Sequence, residues 1–128
     1  MISAVHTLIY SDDALATRAF LRDVLQWPHV EDVGSEPGWL IFNTGPGELG
    51  VHPTSGEEGQ GSYSAPRAHQ ISLMCDDVEA TVAELTERGA EFTGEVSDSG
   101  FGLTIMMKLP GADDLLLYQP KHKTAYDL

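Results

Sequence analysis

Three polar residues of this sequence are well placed to do chemistry. His6 lies in the middle of an apolar run, His52 precedes Pro53 at the end of another, and Gln70 lies within a third. An imidazole titrates near neutral pH, so His6 is the candidate general base. An amide both donates and accepts hydrogen bonds, so Gln70 is a candidate ligand contact. Each has a structural alternative. His6 could be a core histidine bonded to a backbone carbonyl, His52 a residue at the end of a strand, and Gln70 an exposed residue at a sheet edge.

Three aromatic residues on predicted strands could bind a flat ligand. Trp39, Phe101 and Tyr118 together offer rings that stack on a planar molecule, although packing in the core is the plain alternative. Phe101 lies between two glycines, which suits a mobile lip at the edge of a pocket. The sequence therefore predicts a ligand pocket containing His6, Trp39, His52, Gln70, Phe101 and Tyr118.

The composition excludes several classes of protein. The chain has 128 residues, of which 41% are hydrophobic and 21% charged, as expected for one globular domain spanning residues 1–128. Its 7 basic and 20 acidic residues give a net charge of −13, which argues against binding to nucleic acids or membrane surfaces. Cys75 is the single cysteine, so no internal disulfide can form. Without a membrane-length apolar run or a signal peptide, a cytoplasmic location is expected.

Periodicity and capping residues predict two helices and eight strands. The helices are expected at 14–25 and 78–88, after the cap residues Asp13 and Asp77. A Gly/Ser/Glu-rich stretch at 54–66 is expected to be a linker or mobile loop, and His122 is expected in a solvated tail. The strands are predicted at 2–10, 29–33, 38–43, 48–53, 68–75, 91–97, 101–109 and 114–119.

The two halves of the chain repeat each other. A shift of 64 residues superimposes identical residues at six positions between 12 and 25: Asp12, Asp13, Ala16, Thr17, Ala19 and Leu21 on Asp76, Asp77, Ala80, Thr81, Ala83 and Leu85. Such a match indicates an internal repeat of two βαβββ units, at about 1–53 and 67–122. One helix covers one face of each small sheet, so two curved mixed sheets should enclose a cavity.

These paired units resemble the vicinal oxygen chelate superfamily. The segments that carry the resemblance are His6–Asp13, Gln70–Asp77 and the closing strand Leu109–Pro120. The superfamily includes glyoxalase I, fosfomycin-resistance transferases, extradiol dioxygenases and bleomycin-binding proteins. The resemblance implies an α+β fold of tandem βαβββ units, whereas several activities occur on that fold.

The resemblance also implies a divalent metal held by side chains from the first and last strands of each unit. Carried over by position, the first-strand ligands are His6 and Gln70, but the last-strand positions hold Gly50 and Leu116, which cannot bind a metal. His52 lies two residues beyond Gly50, and a bulge could turn Glu48 inward. We therefore expect no cofactor, and a divalent metal on His6, His52, Gln70 and Glu48 is the alternative.

Two functions follow from the resemblance. The first is a bleomycin-resistance-like protein that binds or sequesters a planar natural product or drug, to which the charge of −13 would attract a basic ligand. The alternative is a metal-dependent lyase, isomerase or dioxygenase acting on a vicinal-oxygen substrate, and a metal-free variant would use His6 as general base. The partners expected are a small molecule and a second copy in a homodimer. Metal dependence distinguishes the two functions.

Overall fold

The computed structural model describes residues 1, 3–32, 34, 36–58 and 61–128. Both helices within these residues are ten residues long, too short and too polar to cross a membrane. In chain order the elements are α1 (Ala14–Asp23), β1 (His29–Glu31), β2 (Leu40–Phe42), β3 (Ser55–Glu58), β4 (Gly61–Ser64), β5 (Ser72–Met74), α2 (Val78–Glu87), β6 (Phe92–Asp98), β7 (Gly102–Met107) and β8 (Leu115–Pro120).

The two helices begin with the same cap. A carboxylate oxygen of Asp13 accepts the N–H of Ala16 at 3.1 Å, and a carboxylate oxygen of Asp77 accepts the N–H of Ala80 at 3.1 Å. Each bond satisfies one of the free donors that a helix leaves at its first turn. The sequence repeat is therefore also a repeat of local structure.

The second half forms the complete βαβββ unit that the sequence predicts. Its four-stranded sheet has the order β5-β8-β7-β6, with β5 parallel to β8 and the other pairs antiparallel. Val78 of α2 is fully buried against Ile105 of β7 and Leu117 of β8. Alternate residues of a strand face opposite sides of the sheet, so Leu116 and Tyr118 lie on the face away from α2.

The first half departs from the predicted pattern. It forms α1 and the antiparallel pair β1-β2, but residues 3–10 and 43–54 are not strands, so the strands predicted at 2–10 and 48–53 are wrong over the described residues. Ile2 and Val33, which fall in predicted strands, lie outside the described residues. In the second half the first strand pairs only with the fourth. In the first half the segment equivalent to that fourth strand contains Gly50 and Pro53, which weaken or interrupt strand pairing. Residues 3–10 therefore lack a neighbouring strand to pair with.

The stretch predicted as a loop at 54–66 is a hairpin. β3 and β4 pair in antiparallel register, with Ser55 opposite Ser64 and Gly56 opposite Tyr63, and the N–H of Ala65 donates to the carbonyl of Thr54 at 2.8 Å. Gly59 and Gln60 lie outside the described residues. Backbone pairing needs no apolar side chains, which is why composition did not reveal these strands.

One hydrophobic core joins the two halves. Phe20 and Leu21 of α1 pack with Leu85, Met107 and Leu115 of the second half. The N-terminal end of α1 is also fixed by hydrogen bonds to the loop between β7 and β8. There Thr17 Oγ1 donates to the carbonyl of Pro110, and the N–H of Asp12 donates to the carbonyl of Gly111 at 2.8 Å. α1 thus has a fixed position on the second unit.

Candidate functional site: a cavity in the first half

A cavity of about 420 Å³ lies between α1, β2 and the N-terminal segment. All of its described lining residues fall between Val5 and Thr44, so the second half does not contribute to it. This differs from the predicted cavity between two sheets. Its lining is largely apolar and aromatic, with a few polar groups, and includes His6, Tyr10, Arg18, Trp27, Trp39 and Phe42.

The repeat explains why this space is open. A shift of 64 residues places Ala14 on Val78 and Arg18 on Val82. In the second half Val78 and Val82 fill the space between α2 and its sheet. In the first half the smaller Ala14 and the charged Arg18 line the cavity instead. The cavity is therefore the counterpart of the packed core of the second unit.

Arg18 is the cationic side chain among the described lining residues. Its Nη2 lies 2.6 Å from Oε1 of Glu36, and its guanidinium carbon lies 4.8 Å from the centre of the Trp39 ring. Only 13% of the Arg18 side chain is exposed, against 56% of the Glu36 side chain. A guanidinium above an indole face gains electrostatic attraction, so two neighbours orient the Arg18 charge at the cavity.

The structure brings two of the predicted pocket residues to this cavity, namely His6 and Trp39. Phe101 and Tyr118 lie elsewhere: their rings meet edge to face with centroids 5.3 Å apart, and neither lines the cavity. The predicted stack of all three aromatic rings is therefore wrong. Arg18, Tyr10 and Trp27 were missed, although the 64-residue offset from the buried face of α2 would have identified Arg18.

Tyr118 belongs to a second cluster of polar groups. Its hydroxyl lies 3.2 Å from Nε2 of His122, and that nitrogen lies 3.5 Å from a carboxylate oxygen of Glu48. The other carboxylate oxygen of Glu48 accepts the N–H of Ala125 at 2.7 Å. Burial, and then the charge of Glu48, raise the pKa of the Tyr118 phenol. His122 is therefore not simply a solvated tail residue, because it joins β8 to the segment carrying Glu48.

The remaining candidates are exposed. The ring of His52 lies against Tyr63 with centroids 5.1 Å apart, and Gln70 is exposed before β5. Within the described part of the chain, no three His, Cys, Asp or Glu side chains could hold a metal together. Two of the candidate donors are separated: His6 lines the cavity, whereas Glu48 is not among its described lining residues and accepts the N–H of Ala125.

Cys75 is neither a lining residue of the cavity nor a member of the cluster of Tyr118, His122 and Glu48. Burial raises the pKa of its thiol, and Sγ lies 3.6 Å from the carbonyl oxygen of Tyr118. Because the thiolate is the reactive form, a raised pKa lowers the reactivity of the thiol at neutral pH.

The chain is similar to a known family over most of its length. A model of the Glyoxalase/Bleomycin resistance protein/Dioxygenase superfamily matches residues 3–116. No curated protein matches the chain.

Solved structures share the fold at low identity. TnmS3, an antibiotic binding protein from Streptomyces sp. CB03234, is 20% identical with a TM-score of 0.56, over 94% of this chain and 98% of that one. A glyoxalase/bleomycin resistance protein/dioxygenase from Nocardioides is 19% identical with a TM-score of 0.59, over 98% and 91%. Lactoylglutathione lyase from Agrobacterium tumefaciens is 21% identical with a TM-score of 0.56, over 92% and 94%. These likenesses confirm the predicted α+β fold class.

Proposed function

Because the chain belongs to the Glyoxalase/Bleomycin resistance protein/Dioxygenase superfamily, we propose that it binds a planar aromatic small molecule, a natural product or drug, in the cavity of its first half. The observation that carries this proposal is the cavity itself. Its volume of about 420 Å³ lies within the range of roughly 300–1,000 Å³ common for small-molecule pockets. TnmS3 is described as an antibiotic binding protein, and the proposal extends a ligand-binding role of this kind to the present chain.

The chemistry of the lining supports a flat ligand. Trp27, Trp39 and Phe42 line the cavity, and aromatic rings favour offset or edge-to-face contact with another ring. His6 adds an imidazole, whose ring nitrogens can donate and accept hydrogen bonds. The metal-dependent alternative needs donors that the described residues do not bring together, so binding is the function supported best.

The tryptophan fluorescence of the protein can report ligand binding. Both of its tryptophans, Trp27 and Trp39, line the cavity. Titration with planar compounds such as acridine and naphthalene derivatives should therefore quench tryptophan emission along a saturable curve with one site. The affinity should be unchanged by a metal chelator.

Filling the cavity provides the control. In Ala14→Leu the larger side chain occupies the cavity while both tryptophans remain, so quenching should be lost. In Ala80→Leu the same change falls at an exposed position of α2 and should leave binding unchanged. Quenching that persists in Ala14→Leu, or a native protein that responds to none of the compounds, refutes the proposal.

We also propose that two copies pair through the first half. Its large apolar side chains are unusually exposed, with Leu49 at 78% and Val51 at 90% of their full area. Exposed apolar surface favours association. Sedimentation equilibrium should show a dimer that Leu49→Asp dissociates; a monomer at high micromolar concentration would be evidence against pairing.

A further inference from the structure

We propose that the cavity of the first half selects aromatic ligands that carry a carboxylate, and that Arg18 binds this group. The inference rests on the proposed function, since it specifies the ligand of the same cavity. It differs from what the net charge of −13 suggests, because that charge would attract a basic molecule.

The groups in contact with a ligand decide selectivity more than distant charges do. In physiological salt, interactions between exposed charges are screened over about 8 Å. Arg18 is the one cation among the described residues that line the cavity, and its side chain is 13% exposed. A largely desolvated guanidinium interacts strongly with a carboxylate, because little water competes for its N–H groups.

The guanidinium retains donors for a ligand. Among the hydrogen bonds of the described residues, Arg18 makes one, from Nη2 to Oε1 of Glu36 at 2.6 Å. A guanidinium has five N–H donors in a planar fork that matches both oxygens of a carboxylate. The Trp39 ring beneath it holds the fork in place without using any of these donors.

Glu36 is the acidic side chain among the described residues that line the cavity. Its side chain is 56% exposed, against 13% for Arg18, so water screens the Glu36 charge toward a basic ligand more than it screens the Arg18 charge toward an acidic one. When a ligand carboxylate takes its place on Arg18, the exposed Glu36 carboxylate can be solvated by water, which lowers the cost of the exchange. Arg18, by contrast, is packed over Trp39. The site therefore exchanges one carboxylate for another on a fixed cation.

Three probes of similar shape test this: 2-naphthoate, 2-naphthamide and 2-naphthylmethylamine, measured by isothermal titration calorimetry with the native chain. The acid should bind roughly tenfold to hundredfold more tightly than the amide, as expected for a charge-assisted bidentate contact. The amine should bind most weakly. An amide or amine that binds as tightly as the acid overturns the selectivity but leaves the proposed function standing. If none of the three binds, both fail.

Three variants test whether the pair of Arg18 and Glu36 causes the selectivity for the acid. Arg18→Met keeps the apolar part of the side chain and should make acid and amide bind equally. Glu36→Gln removes the competing carboxylate and should tighten the acid severalfold. Arg22→Met, one turn further along α1 and paired with Asp23 at the surface, should change nothing. If Arg18→Met also loses the amide, the cavity itself has been damaged, and Glu36→Gln then decides: unchanged or weaker acid binding overturns the proposal.

Discussion

Replacing Gly111 by alanine tests whether α1 is fixed to the second half by a contact that has no room for a side chain. Gly111 adopts a φ of +80°, where residues with a Cβ are disfavoured. An added Cβ would lie 2.5 Å from Oγ of Ser11 and 2.9 Å from the carbonyl oxygen of Asp13. Neither neighbour can move freely: Ser11 Oγ is 2.7 Å from Oγ1 of Thr17, and Asp13 caps α1.

The expected loss of folding stability in Gly111→Ala has two parts. Forcing a residue with a Cβ into the left-handed region costs about 1–2 kcal/mol. Relieving the contacts with Ser11 and Asp13 adds about 1–3 kcal/mol, the usual cost of overpacking. The free energy of unfolding should therefore fall by about 2–5 kcal/mol. For a chain of this size about 1 kcal/mol corresponds to roughly 4 °C in melting temperature, so Tm should fall by about 8–20 °C.

Gly45→Ala is the matched control. Gly45 has a φ of +85°, but a Cβ built on it meets nothing within 4 Å, so this variant has only the backbone cost of about 1–2 kcal/mol. Thermal unfolding followed by far-ultraviolet circular dichroism and urea unfolding measure both variants. If Gly111→Ala is no less stable than Gly45→Ala, the steric argument for the joint between the halves is wrong.

Three further outcomes are expected. Met107→Ala, at a side chain with no exposed area, should lower the free energy of unfolding by about 2–5 kcal/mol in urea, and the half-buried Met106→Ala should lower it less; equal losses would contradict the assigned core. Phenolate absorbance should show that Glu48→Gln lowers the pKa of Tyr118 toward its ordinary value, because the carboxylate charge helps to raise it. Since the raised pKa favours the neutral phenol in the fold, its contribution to stability is present at neutral pH and is lost as the pH rises through that pKa; a stability rising with pH above 10 would contradict this. Glu48→Ala should speed hydrogen exchange at the amide of Ala125, which donates to Glu48 at 2.7 Å, and unchanged exchange would mean that this bond does not hold the C-terminal segment.

The candidate site was predicted only in part. His6 and Trp39 were predicted from residue type and strand alternation; both line the cavity, although residues 3–10 form no strand. Phe101 and Tyr118 are on the second unit, so whether they meet Trp39 depends on how the two halves pack, which local patterns do not encode. Arg18 was missed because charged residues in the middle of a helix usually face water. The contact between Glu48 and Ala125 joins residues 77 positions apart, and no local sequence pattern predicts such a contact.

The sequence by itself determined the family, both helices and the second unit. Aspartate caps act within three residues, and the apolar run Leu115–Leu117 forms a buried strand wherever a partner strand is available. Only the tertiary structure decided that residues 3–10 and 43–54 do not pair, that a cavity remains between α1 and β2, and that Arg18 borders it. Those outcomes depend on whether the space beside each element is filled by residues distant in the chain, and close packing is a property of the whole fold.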